Sequence, residues 1–390
     1  MSNADEQRAT VEAAILPVAE VKPTSSIEEK LYTASQWQLM WWKFRKHKLA
    51  MAGGLVIGIM YFIAIFCEFL APYPLETRYS RYSWAPPQRV HFIDAEGKFH
   101  LRPFVYALKE ESDPVTWRIT FKEDRTKIQP LYFLVRRDEY KFWGRWKANL
   151  HLFGVKGEKE TAFLLGTDRL GRDLLSRVFY GARISLSIGL IGVLISLVMG
   201  AILGGVSGYY GGITDTIVQR IIELLRSIPH IPLWMALSAA LPPALPPERA
   251  YFGITIILSI IGWTSLARVT RGKILSLREE DFVMAARIAG TSESRIIIRH
   301  LLPSFLSHLI VSMTLAIPSM VLGETALSFL GLGLRPPVTS WGVLLKEAQD
   351  VQVIAHQPWQ LIPAFFLIFT VLAFNFLGDG LRDAADPYAR

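Results

Sequence analysis

Charge is scarce in this chain of 390 residues: Asp, Glu, Lys and Arg make up only 19%, against about a quarter in a soluble domain. Mean hydropathy is +0.29, which excludes an ordinary cytosolic enzyme. Cysteine is scarcer still. Cys67 stands alone, so there is no internal disulfide and no cysteine-cluster metal site. Within an apolar block it reads as a small hydrophobe facing lipid or a neighbouring helix. The chain has no G-x-x-x-x-G-K-[ST] phosphate loop to cradle ATP and no H-E-x-x-H or Cys/His metal cluster. No G-x-S-x-G elbow frames a serine nucleophile. No signal peptide opens it. Residues 1–36 are polar, with Pro17 and Pro23, and are expected to form a disordered or surface-lying cytoplasmic leader.

What the chain has instead is apolar blocks near 49–70, 184–206, 228–245, 251–267, 304–322 and 361–377. Each is close to the ~20 residues a helix needs to cross a bilayer. The expected fold is an all-α polytopic membrane protein of six transmembrane helices. The net charge is +8, and basic residues cluster beside these blocks, which suits topology and lipid headgroups better than nucleic acid. Lys43, Arg45, Lys46 and Lys48 precede the first block and hold the N-terminus in the cytoplasm. Trp37, Trp41 and Trp42 sit where an interfacial belt belongs. The interfacial segment and first helix cover 37–71, with Glu68 either snorkelling to the interface or pointing into a protein-lined path.

Residues 72–165 form a polar insertion that one crossing places outside the cytoplasm. Short strands are expected at 117–121 and 131–135, with turns at Asp113-Pro114 and Gln129-Pro130. The second block carries Gly192, Ser196, Gly200, Gly204 and Gly208, a four-residue spacing of small side chains that lets another helix approach closely. The third crossing is assigned to 228–245. The polar stretch before it, Asp215 to Arg226, is expected along the cytoplasmic interface or inside the bundle. Parity supports six. The loop 268–299 carries Arg268, Arg271, Lys273, Arg278, Arg287, Arg295 and Arg299. Such a loop is cytoplasmic, so an even number of crossings precedes it and both termini lie inside.

That loop reads as an interrupted helix. Glu279-Glu280-Asp281 places negative charge at a helix N-terminus, and Gly290 can take the left-handed conformation that ends it. Thr291 or Ser292 can cap a second helix through Arg299, and Leu302-Pro303 opens the next span.

The run Met284-Ala285-Ala286, three residues, Gly290, nine residues, His300, one residue, Leu302-Pro303 resembles the EAA signature of ABC-importer permeases. Met284 stands at the glutamate position and His300 at an isoleucine position, as in the dipeptide/oligopeptide subfamily. Gly166 to Asp173, Glu324 to Gly333, Ser340-Trp341-Gly342 and Asn375 to Asp383 are similar to the same subfamily, so the resemblance covers about 166–390. Within the insertion, Arg102 to Tyr106 and His151 to Val155 resemble the branch that imports oligopeptides and microcin C.

The resemblance implies a type I importer permease fold with 166–390 as the core domain and a coupling helix near 279–299. It makes Met284, Ala285, Ala286, Arg287, Gly290, Leu302 and Pro303 the ATPase-coupling residues. It also implies a second homologous permease subunit, two cytoplasmic ATPase subunits carrying ATP and Mg, a periplasmic solute-binding protein, and residence in a bacterial inner membrane. No cofactor is expected in this chain. Glu324, near the outer end of the fifth span, is a candidate for lining the path or supporting a gate; an interfacial or helix-capping role is the alternative. Two rivals are a membrane-anchored enzyme with its chemistry in 72–165, where no catalytic constellation is seen, and a self-sufficient channel or secondary transporter, against which the lack of mid-span charge counts.

Overall fold

The computed structural model describes residues 35–385 apart from 113, 115–118, 158–159 and 243. Residues 1–34, residue 113 of one expected turn, the start of the strand expected at 117–121 and the tail after 385 lie outside the described residues.

Helices start where side chains satisfy their first N–H groups. Ser35 and Gln38 form a reciprocal capping box before α1, Gln36–Lys46. His47 Nδ1 accepts from the Ala50 N–H at 3.2 Å before α2, Lys48–Ile65. After a break at Phe66 comes α3, Cys67–Leu70. Asp173 accepts from the Ser176 N–H at 2.7 Å before α4, Leu174–Tyr210. Next come α5, Gly212–Ser227, α6, His230–Ala239, and α7, Pro247–Leu277, with proline at its first position. The last elements are α8, Asp281–Ile288, α9, Leu306–Phe329, α10, Trp341–Glu347, α11, Val351–His356, and α12, Ile362–Ala385.

Among the described residues, five helices are long and apolar enough to cross a membrane: α2, α4, α7, α9 and the stretch Pro358–Ala385 that contains α12. The expected third crossing at 228–245 is not one of them. Its only helix, α6, has ten residues, about 15 Å at 1.5 Å per residue, half of a ~30 Å hydrocarbon core.

The chain nevertheless crosses here, for a reason that lies in α4 and α7. The small residues of α4 are buried against α7. Ser259 Oγ donates to the Gly192 carbonyl at 3.0 Å, and Ser196 Oγ donates to the Ser259 carbonyl at 3.3 Å. A Cβ on Gly200 would sit 3.0 Å from the Ala267 nitrogen, and one on Gly208 would sit 2.9 Å from the Arg271 oxygen. Partner numbers rise together along both helices, so the two run parallel.

Two consecutive parallel helices need a return segment, and α5 with α6 provides it. Asp215 bonds Arg271, Ile222 packs on Trp263 and Ala267, Arg226 reaches Ser265, and Leu241 lies against Gly253. From Arg271 to Gly253 this climb covers about 27 Å of helix. The third crossing is therefore a broken pair hinged at Ile228-Pro229, and it includes the polar stretch 215–226. Arg220, Glu223 and Arg226 face outward from α5, exposed in the isolated chain.

The crossings define two ends. At the loop end, His47 meets Asp383, and Gly380 of α12 packs on Ala50 of α2. The α8 segment lies at this end too, against Tyr209 and Ile274 at the C-terminal ends of α4 and α7. At the insertion end the chain builds two antiparallel sheets, longer than the two short strands expected. One contains β1, His91–Ile93, β2, Phe99–Ser112, and β3, Ile119–Pro130; the other is a hairpin of β4, Tyr132–Phe142, and β5, Trp146–Gly154. Much of β3 is polar and solvated, which hid it from an alternation test.

A methyl group at Gly204 would overlap the Ala267 carbonyl, whereas one at Gly58 meets nothing within 4 Å. Gly204→Ala is expected to lower stability by about 1–3 kcal/mol, while Gly58→Ala holds or raises it. Thermal denaturation of the purified protein in detergent measures both.

Candidate functional site

The segment after α7 is built to present one short helix. Val283 of α8 is fully buried among Tyr209, Ile274, Ile296 and Leu301. Arg287 lays its guanidinium 5.2 Å from the Tyr209 ring centre and donates from Nε to the Tyr209 hydroxyl at 3.3 Å. Gly290 takes φ +74°. Its N–H donates to the Arg287 carbonyl and the Thr291 N–H donates to the Ala286 carbonyl, the paired bonds of a Schellman stop.

Beyond Gly290 the chain does not form the regular second helix expected through Arg299. A three-residue turn, Glu293–Arg295, with Ser292 at its cap position but no side-chain cap bond, leads into a π-helical stretch, Ile296–Leu301. Leu302–Ser304 and a break at Phe305 then lead into α9. The wide turn keeps Ile296, Ile297 and Leu301 buried under α8.

The expected coupling residues divide by face. Met284 and Ala285 point outward beside Phe282 and Ile288, the last 86% exposed. Gly290 and Pro303 are exposed as well. Ala286 is half-buried against the protein's own core, as is Leu302, and Arg287 is occupied by Tyr209. Ala286 thus belongs to the support of α8 and not to its outer face. Sequence reasoning missed that support: Asp215 accepts from Arg271 Nε and Nη2, both at 2.5 Å, and from Ser207 Oγ. Arg278 reaches the Gly208 carbonyl. Together these bonds tie α4, α5 and α7 behind α8. A lone Asp just after Gly211-Gly212, with arginines in the following loop, was the available signal.

At the insertion end, the stretch Gly166 to Asp173 forms a clasp. Arg177, 1% exposed, donates to Asp168 Oδ2 at 2.5 Å and to both oxygens of Glu347 on α10. Arg172 Nε adds a bond to Asp168 at 2.6 Å. The Thr167 carbonyl accepts from Trp359 and Gln360, and the Gly171 carbonyl from the Tyr79 N–H. Glu324 lies beside this clasp on α9. It is fully buried and accepts from the hydroxyls of Ser185, Ser328 and Ser340 at 3.1, 2.8 and 2.7 Å. Ser340 in turn caps α10 through the Val343 N–H. The carboxylate therefore ties α4, α9 and α10 together; it does not face an open channel or an interface. Between α4, α6, α7 and α9 lies a cavity of about 340 Å³, lined by Ser196, His230, Trp234, Thr264, Ser312 and Ser319 among others. Trp234 Nε1 is buried there with no hydrogen-bond partner.

Residues 184–390 match the family described as "Binding-protein-dependent transport system inner membrane component". The chain belongs to this family. Residues 35–87 also match "N-terminal TM domain of oligopeptide transport permease C". The oligopeptide transport system permease protein OppC of Escherichia coli K12 is 43% identical over 239 residues, covering 60% of this chain and 75% of the relative. The dipeptide transport system permease protein DppC of Bacillus subtilis is 42% identical over 226 residues, 58% of this chain and 68% of its own. A putative peptide permease protein of Brucella suis is 35% identical over 264 residues, 67% and 85%. A chain of the MetNI methionine ABC transporter in an inward facing conformation aligns with TM-score 0.43 at 19% identity, over 53% of this chain and 95% of that one. In this inner membrane component the family match carries the fold expected from the sequence and spans most of α4 onward, including the loop, Glu324 and Glu347, whereas residues 88–183, with most of the insertion and the Asp168–Arg177 part of the clasp, lie between the two matched regions.

Two measurements test the insertion-end geometry. Glu324→Ala strands three hydroxyls and is expected to cost about 1–3 kcal/mol for each left without an acceptor; Glu324→Gln costs less, and detergent melting curves give both. Asp173 is buried beside Asp168, and burial pushes its carboxyl from 3.8 up to about 7. The folded state then holds the proton more tightly than the unfolded chain. This contribution to stability is complete below about pH 4 and is lost as pH rises through about 7. Asp173→Asn is expected to remove that part of the fall in melting temperature between about pH 5 and pH 8.

Proposed function

We propose that this chain is one half of the translocation path of an ATP-driven peptide importer, with α8 as the element that receives the motor stroke. The observation that carries this reading is the two-sided character of α8. Its inner face is locked to α4 and α7 by Val283 and Arg287, while Phe282, Met284, Ala285 and Ile288 leave an apolar outer face uncovered. Exposed apolar faces of this kind mark protein contact sites. An ATPase seated there pushes on the ends of two spans at once, through Tyr209, Arg278 and the Asp215–Arg271 pair.

The loop end, with its arginines and lysines, is the cytoplasmic end by the positive-inside rule. Six crossings then put both termini on the same side, and residence is the inner membrane. ATP and Mg belong to two separate ATPase subunits. A second, homologous permease completes the path, and a periplasmic binding protein delivers the solute. Each nucleotide state binds these partners differently, since otherwise hydrolysis shifts no population.

Peptide is the substrate class supported by the names of the relatives. The cavity between α6, α7 and α9 suits it: its hydroxyls and the free Trp234 N–H offer donors and acceptors to amide groups, and no Asp, Glu, Lys or Arg lines it. A path of that kind handles peptide main chain without selecting by side-chain charge.

Ala285→Glu puts charge on the outer face of α8 without touching its support. It is expected to reduce peptide uptake at least about 100-fold, as for losing a charge-intolerant contact of ~3 kcal/mol, with unchanged abundance in the membrane. Gly290→Pro, which loses the N–H bond to Arg287 and cannot adopt a positive φ, is expected to do the same. Normal uptake by the Ala285→Glu protein in cells would overturn the coupling role.

A further inference from the structure

The β4–β5 hairpin does not project freely from the insertion end. It folds back until its tip, residues 142–146, lies beside the last turn of α2. The Trp143 N–H donates to Glu68 Oε1 at 3.0 Å, and the Arg183 guanidinium lies 4.5 Å from the Trp143 ring centre. Arg183 also ion-pairs Glu68 and donates to the carbonyls of Ala64 and Ile65, the final residues of the span. Glu68 is thus neither snorkelling nor facing a path. Phe142 stacks on Phe66 with ring centres 6.0 Å apart. Deeper in the hairpin, His151 Nδ1 bonds the Ala71 carbonyl at 2.6 Å, so the strands are held at two levels.

This latch fixes the height of the tip. Residues 64–66 end a helix of hydrocarbon-spanning length, so anything beside them lies at the boundary between acyl chains and headgroups. Trp143 and Trp146 are 50% and 63% exposed there, beside the exposed Phe62 and Ile65 of α2 and Phe66 just after it. Lys141, Arg145 and Lys147 surround them, exposed and with no acidic partner among the described residues. Two indole rings with cations alongside are what a headgroup region binds: the rings sit at the interface and the cations reach phosphate. In water the same patch would be an unprotected apolar surface.

We infer that the tip of the β4–β5 hairpin is a membrane anchor that dips into the leaflet at the insertion end, Trp143 and Trp146 lying among phospholipid headgroups and Lys141, Arg145 and Lys147 contacting their phosphates. The inference rests on the chain crossing a bilayer and is independent of which solute it carries. The anchor ties the insertion to the bilayer surface at the same level at which the latch ties it to the end of α2.

The test uses the assembled transporter in phospholipid vesicles. In a Cys67→Ala background, a spin label is placed through Trp146→Cys, with Phe62→Cys as the lipid-facing reference and Arg125→Cys on β3 as the aqueous one. Collision with oxygen and with a water-soluble nickel chelate is then compared. The expected result is a Trp146→Cys label with oxygen access like that of Phe62→Cys and nickel access at least fivefold below that of Arg125→Cys. Nickel access equal to Arg125→Cys would place the tip in water and overturn the inference. Exclusion of both reagents would place it in a protein contact and overturn it equally. If the Trp146→Cys protein does not assemble, Arg145→Cys in the same turn reports the same boundary.

Discussion

Close approach of α4 and α7 is the constraint on which the rest of the bundle depends. In a bilayer the hydrophobic effect gives no incentive for helices to associate, so packing has to come from backbone proximity and short-range contact. Gly192, Ser196, Gly200, Gly204 and Gly208 supply that proximity, and Ser259 stitches the seam with hydrogen bonds in both directions. Because the helices run parallel, the chain between them must come back across the membrane. The broken α5–α6 pair exists for that purpose. Its polar outward face on α5 is a consequence of the same geometry: it climbs the outside of α7 and leaves Arg220 and Glu223 to pair with each other.

The two ends of this seam are tied in different ways. At the loop end, α8 rests on buried Val283, half-buried Ala286 and one arginine–tyrosine contact, with Asp215 and Arg271 bracing the helices behind it. Few groups hold it, and most of its surface is open. At the insertion end, buried Asp168 and Arg177 form an ionic cluster with half-buried Glu347, and Glu324 gathers three serines. Buried charges of this kind add little net stability but strongly penalise partial opening, because separating them leaves a charge without a partner. α4 and α7 run from the open α8 segment at one end to this tightly bonded cluster at the other.

The insertion takes part in this through the clasp and the hairpin. Tyr73 and Phe163 pack under its first sheet, and the Tyr73 hydroxyl accepts from the Ala162 N–H at 2.8 Å. The second sheet meets α3 and α4 through Glu68 and Arg183. The domain is thus bonded to the outer end of α4, one of the two seam helices.

Much of this was legible in the residues. Block hydropathy found every span that is a single helix. The four-residue spacing of small side chains found the seam, charge parity demanded an even count before the 268–299 loop, and Gly290 marked a helix stop by its need for positive φ. These features are local, each set by composition or by a period of a few residues, and so they survive without knowledge of the fold. Other decisions needed distant partners. That the third crossing is two helices follows from the parallel α4 and α7, about 60 residues apart in the chain. That Ala285 faces out while Ala286 faces in depends on where Tyr209 and Ile296 lie. That Glu324 joins three segments, and that Glu68 serves a hairpin tip 75 residues further on, depends on contacts whose members share no pattern in the sequence. Periodicity records which face of an element is buried; it carries no record of what buries it.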